Sequence, residues 1–188
     1  AARRSAHDAL HGQPWRRVNG DTPFLPLGPA GSFDDTLVAA TRNPPFRVND
    51  KLLFFYNGRH GDYGKEGQTA HMGAATLRLD GFAALTVDAP TLQRHGIPAS
   101  LMTRVMPVRQ QELQLNVVGH QGTARAGLVG EDMKPIPGFE LENCLPIAED
   151  AVRAAVRWKG GSTTAALKGQ RVHVLLQMRC GSVYAVRL

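Results

Sequence analysis

In the second half of the sequence, apolar and polar residues exchange places at every step. Val172, Val174, Leu176 and Met178 alternate with Arg171, His173 and Gln177, and Leu175 is the one apolar residue on the polar side. Leu113, Leu115 and Val117 alternate with Glu112, Gln114 and Asn116, and Val152, Ala154, Val156 and Trp158 oppose Arg153 and Arg157. Tyr184, Val186 and Leu188 close the series. Side chains two apart share one face of a strand, so this pattern describes strands with one buried and one wet face. Separated by Gly-containing turns, they predict an antiparallel β-sandwich over residues 101–188. The arginines then occupy its solvated face, and Trp158 belongs to its core.

The first half reads differently. Asp35–Thr41 and Lys51–Asn57 are strand-like runs joined by a polar turn over Arg42–Asp50, and Phe54, Phe55 and Tyr56 are strong strand formers. Both runs are apolar on both faces, which places them inside a packed multi-strand unit. Ala70–Leu79 is a third strand, and an Asp80-Gly81 turn leads to a fourth over Phe82–Val87. Strand, turn, strand, loop, strand, turn, strand is the meander of one propeller blade. Trp15–Val18 is a further short strand. The expected organisation is therefore all-β: a partial propeller over 1–88 (a terminal blade and a fragment of another), a Pro- and Gly-punctuated linker over 89–100, and the sandwich.

Polar residues collect at the ends of the first hairpin: Asp34 and Asp35 before one strand, Asn57, Arg59, His60 and Asp62 after the other. Buried strands that deliver acids and a His to one rim can present a site for a sugar or another small molecule. A solvated loop is the plainer reading of the same residues. Tyr56 serves either rim hydrogen bonding or blade packing, and His71 opens a strand that can face the same pocket.

Composition narrows the function classes. The net charge is +6, with +1 over residues 1–90 and +5 over 91–188. Those basic residues are scattered singly, without a nucleic-acid-binding signature, so specific nucleic-acid binding is not expected. There is no phosphate-cradling Gly loop, no nucleophile elbow and no cluster at metal-ligand spacing. Cys144 and Cys180 fit no metal spacing and read as free thiols rather than a pair. No cofactor or metal is expected, and no apolar run is long enough to span a membrane. The opening AARRSAHDAL lacks an initiator Met and an apolar signal core, so the chain is expected to be processed or cut.

Two stretches carry a resemblance. Lys134–Phe139 (KPIPGF), Asn143-Cys144, Val156–Gly160 (VRWKG), Leu167–Val172 (LKGQRV) and Tyr184–Leu188 follow the order of the C-terminal sandwich in bacterial glycoside-hydrolase-like proteins. The stretches PFLPLGPAGSFD, LLFFYNGRHGDYG and MGAATLRLDGFAAL are similar to the last blade of their five-bladed propeller, the kind seen in glycoside hydrolase families 32 and 43. The chain departs from that pattern at Asp35, Asn57 and Asn143. The resemblance implies the C-terminal part of a carbohydrate-active protein, with carbohydrate and the missing N-terminal propeller blades as partners and an extracellular or periplasmic location. It implies Asp34 as the catalytic or substrate-binding carboxylate, with Arg59 and His60 shaping the subsite; Tyr56, Asp62 and Asp35 at the same rim are the further candidate substrate-binding residues. Glycoside hydrolysis needs two carboxyl groups, so the chain alone is expected to be inactive. A non-catalytic carbohydrate-binding module is the alternative, and a basic module for anionic polymers or nucleic acid a more distant one.

Overall fold

The spine of the first sheet is β3 (Lys51–His60), in a computed structural model that describes residues 22–119 and 123–188. β1 (Leu37–Ala40), β2 (Phe46–Val48) and β4 (Thr69–Arg78) all pair with it. β1 runs antiparallel to the second half of β3, with Leu37 opposite Arg59 and Ala40 opposite Tyr56. The bulky run Phe54–Tyr56 favours the extended backbone of this strand. β2 reaches β3 through a two-residue turn in which Asn49 takes φ +52°, a left-handed setting that Asn tolerates. The preceding loop folds over the sheet: Phe24 packs edge-on to Phe54 at 5.6 Å, and Phe33 stacks on Tyr56 at 6.1 Å.

Three expectations for this half need correction. β2 lies inside the stretch read as a polar turn, because Phe46 and Val48 flank Arg47 in strand alternation and Phe46 packs against Phe55 at 5.9 Å. The described residues do not enclose the strands on both sides: Leu37, Phe46, Val48 and Met72 are exposed and most of β3 is half-buried. Phe82–Val87 does not complete this sheet, since β5 (Leu85–Val87) pairs with β12 (Gly181–Arg187). Trp15–Val18 lies outside the described residues.

The chain divides into two compact units, Ala1–Phe46 with Leu53–Thr76 and Arg47–Leu52 with Leu77–Leu188. The second unit holds two antiparallel sheets. One has the order β10 (Asp150–Ala155), β8 (Gln114–Val118), β12, β5. In the other, β11 (Arg171–Met178) pairs with β9 (Ala124–Gly130), β6 (Ala99–Met102) and β7 (Met106–Pro107). Leu115, Val117 and Val183 from the first sheet share one core with Ala126, Leu128, Val172, Val174 and Leu176 from the second. The sandwich follows from the period-two pattern: all four alternating apolar residues of β11 are buried. Trp158 is also core, donating Nε1–H to the carbonyl of Ala126 at 3.1 Å and meeting Phe139 edge-on at 5.0 Å. The described fold is all-β apart from short helical segments.

The sandwich also departs from simple alternation. Residues 89–100, read as a linker, carry the helix α1 (Ala89–His95) and open β6. Asn116, read as outward and polar, is fully buried; it donates to the Leu79 carbonyl at 2.7 Å and accepts from Arg78 Nε at 2.6 Å. Tyr184 was expected on the inner face, but the β12 register shifts between Val183 and Ala185. It becomes the extra residue of a bulge, and the Arg78 guanidinium lies 5.5 Å from its ring centre. Cys144 and Cys180 are both free thiols, the first buried and the second half-buried.

Candidate functional site

Antiparallel pairing of β1 and β3 brings the residues before one strand beside those after the other. The Thr36 N–H donates to the Arg59 carbonyl at 3.0 Å, and the Gly61 N–H donates to Thr36 Oγ1 at 3.2 Å. This closes the strand ends and sets Asp35 against His60, with both carboxylate oxygens 2.9 Å from Nδ1.

Asp35 is held from several directions. The Gly31 N–H donates to Oδ2 at 2.7 Å, and Thr36 Oγ1 donates to Oδ1 at 3.0 Å. The Gly31 N–H first, and the His60 bond second, hold the Asp35 carboxyl below its ordinary value. Donors that bind the ionised form favour it. A carboxylate at Nδ1 selects the Nδ1–H tautomer of neutral imidazole and leaves Nε2 as an acceptor. The His60 side chain is 45% exposed, whereas that of Asp35 is 14% exposed. The pair therefore offers solvent an oriented imidazole backed by a fixed carboxylate.

Asp34 has another role in the geometry. It is 8% exposed, and it accepts from Ser32 Oγ at 2.7 Å and from Tyr56 Oη at 2.8 Å, one bond to each oxygen. The Asp34 bond first, and burial second, raise the Tyr56 pKa, so the phenol keeps its proton and remains the donor. Glycines make the slot. A Cβ at Gly28 would stand 2.0 Å from Asp34 Oδ1, and one at Gly58 would stand 2.6 Å from Asp34 Cβ. Gly73 likewise leaves room for the Tyr56 ring, where a Cβ would meet Cζ at 2.3 Å. Asp34 thus fastens the loop at residues 28–34 onto β3.

The other expected residues lie around this end of the sheet. The Arg59 guanidinium carbon sits 4.9 Å from the ring centre of Tyr63, which is 83% exposed. Asp62 pairs with Lys65 at 2.6 Å on the open surface. His71 meets the edge of Phe33 at 6.1 Å, which places it near Tyr56 on the same face.

Sequence reasoning did not single out Gly31, Ser32, Phe33, Thr36 or Tyr63. The Asp-Asp-Thr run after a Gly-Ser turn was the available signal, because such residues bond neighbouring backbone and side chains. Among the described residues, no three His, Cys, Asp or Glu side chains are grouped to hold a metal ion. No helix there is long and apolar enough to cross a membrane. No protein-family model matches the chain, and neither does any curated protein or solved structure.

Proposed function

We propose that the first unit is a carbohydrate-recognition surface, belonging to a carbohydrate-active protein related to glycoside hydrolases, and that it binds sugar without cleaving it. The observation that carries this reading is the Asp35–His60 pair. Its carboxylate is fixed by Gly31, Thr36 and His60, and it leaves a half-exposed imidazole to meet hydroxyl groups. Arg59, next to His60 and so on the other face of β3, holds its guanidinium over the exposed Tyr63 ring, a separate aromatic contact for a pyranose.

Hydrolysis is not assigned to this chain. A glycosidase needs a proton donor and a second carboxylate on opposite sides of the scissile bond. Asp34 is occupied by Tyr56 and Ser32, and Asp35 by Gly31, Thr36 and His60. In an intact hydrolase the catalytic pair would come from polypeptide beyond these residues, with Asp34 positioning the loop.

A glycan array followed by calorimetry, run beside aryl-glycoside turnover, tests the proposal. Saturable glycan binding, weakened about tenfold or more by His60→Ala, with no turnover, is the expected result; tenfold corresponds to about 1.4 kcal/mol, the upper end of what one neutral hydrogen bond contributes. Turnover abolished by Asp34→Asn would overturn the non-catalytic reading. Absence of any glycan ligand would overturn the carbohydrate reading.

A further inference from the structure

At one margin of the sandwich, the edge strand β5 of the first sheet and β6 beside β11 in the second contribute to a cavity of about 230 Å³. Leu85, Val87 and Val183 line it from one sheet, and Leu101, Leu176 and Met178 from the other. The strand registers explain why its walls are apolar. Val183 is opposite Leu85, Leu176 opposite Leu101, and Met178 opposite Ala99. Directly opposed residues share a face, so each pair contributes to the same wall.

Three polar residues, Thr86, Ser100 and Gln177, also line the cavity and alternate with these. Thr86 and Ser182 bond each other at 2.8 Å, and Ser100 is paired with Gln177 one step out of phase with the apolar pairs. No charged side chain lines the cavity. Val87, Leu176, Met178 and Val183 form a buried floor, while Leu85 and Leu101, 55% and 39% exposed, stand at the mouth.

Protein interiors are close-packed, and voids larger than a water molecule are few. A mostly apolar cavity gives water few partners, and a wholly apolar one of about 150 Å³ stays dry and takes up benzene. The space here is larger and reaches the surface. We infer that this cavity is a binding site for a small uncharged apolar group, of the size of a substituted aromatic ring, entering between β5 and β6. The inference concerns the second unit and is independent of the carbohydrate proposal.

Titration of the full chain with p-xylene, followed through the methyl resonances of Leu101, Leu176, Met178 and Val183, tests it. Saturable shifts at those methyls are expected, with a melting temperature that rises with ligand concentration. Benzoate carries a similar ring with a charge that has no partner there, so it should bind at least about tenfold more weakly. Val183→Phe at the floor and Ala99→Phe at the exposed mouth each place a ring in the space, and each should weaken p-xylene by about tenfold or more. If the floor variant fails to fold, the mouth variant retains the test. No saturable shift up to the solubility limit, unchanged binding by folded Ala99→Phe, or equal binding of benzoate would overturn the inference.

Discussion

Tyr56→Phe removes one oxygen from the middle of the first unit and leaves the ring that stacks on Phe33 at 6.1 Å. What it deletes is the 2.8 Å bond from the phenol to Asp34 Oδ2. Hydrogen bonds to charged groups contribute about 1.5–3 kcal/mol, and a buried acceptor left without its donor also bears a desolvation cost. Asp34 retains Ser32 Oγ on its other oxygen at 2.7 Å, so the lower half of that range applies, about 2 kcal/mol. Native-state hydrogen exchange at the amides of residues 53–60 in β3 reads the first unit alone. A loss of that size speeds exchange there about thirtyfold while β11 amides stay unchanged. A double-mutant cycle with Asp34→Ala should return a coupling of similar size. If exchange is unaffected but glycan binding disappears, Asp34 and Tyr56 are ligand-contacting groups and the loop-fastening account fails.

Gly73→Ala forces a methyl against the Tyr56 ring, and overpacking of this kind costs about 1–3 kcal/mol; a lowered urea midpoint for the first unit checks it, and an unchanged midpoint contradicts the close approach. The acid limb of stability should depend on Asp35: because its folded value is lowered, its contribution is complete above the unfolded value of about 3.9 and fades as pH falls through the folded one. Asp35→Asn should flatten that limb below about pH 4 in an acid titration followed by NMR. Burial, the leading cause, pushes the Cys144 thiol up, so iodoacetamide should modify half-buried Cys180 in the folded protein and Cys144 only after unfolding. Equal labelling rates would refute the burial assignment. Trp158→Phe strands the Ala126 carbonyl and should cost the sandwich about 1–3 kcal/mol in a denaturant titration.

The sandwich was legible because its strands bury one face each, which writes a period of two into Val172–Met178 and Val152–Trp158. Two kinds of feature broke that reading. The bulge at Tyr184 depends on pairing with β8 and leaves no mark in the spacing of β12 itself. Asn116 looks solvated in sequence, and only the return of Arg78 and Leu79 over β8 buries it. The strand after the Asp80-Gly81 turn was found nearly in place but assigned to the wrong sheet, because a short apolar run does not specify which neighbour it will pair with.

At the candidate site, the crowding of Asp34, Asp35 and His60 at the strand ends was visible, since β1 and β3 had to be antiparallel. The division of labour between the two aspartates was not. It is set by which side chain reaches Tyr56 across the Gly58 gap and which reaches His60, a distinction that neighbouring identical residues cannot reveal.

We propose that Asp35 and His60 recognise a sugar as one unit. Calorimetric titration of one array-identified glycan into the wild-type chain, Asp35→Asn and His60→Ala reads it most directly, with folding of each variant checked by amide spectra. The account predicts that each substitution weakens binding by about tenfold or more and that the double substitution weakens it little further, because the two residues act as one unit. Wild-type affinity in both folded single variants would contradict it.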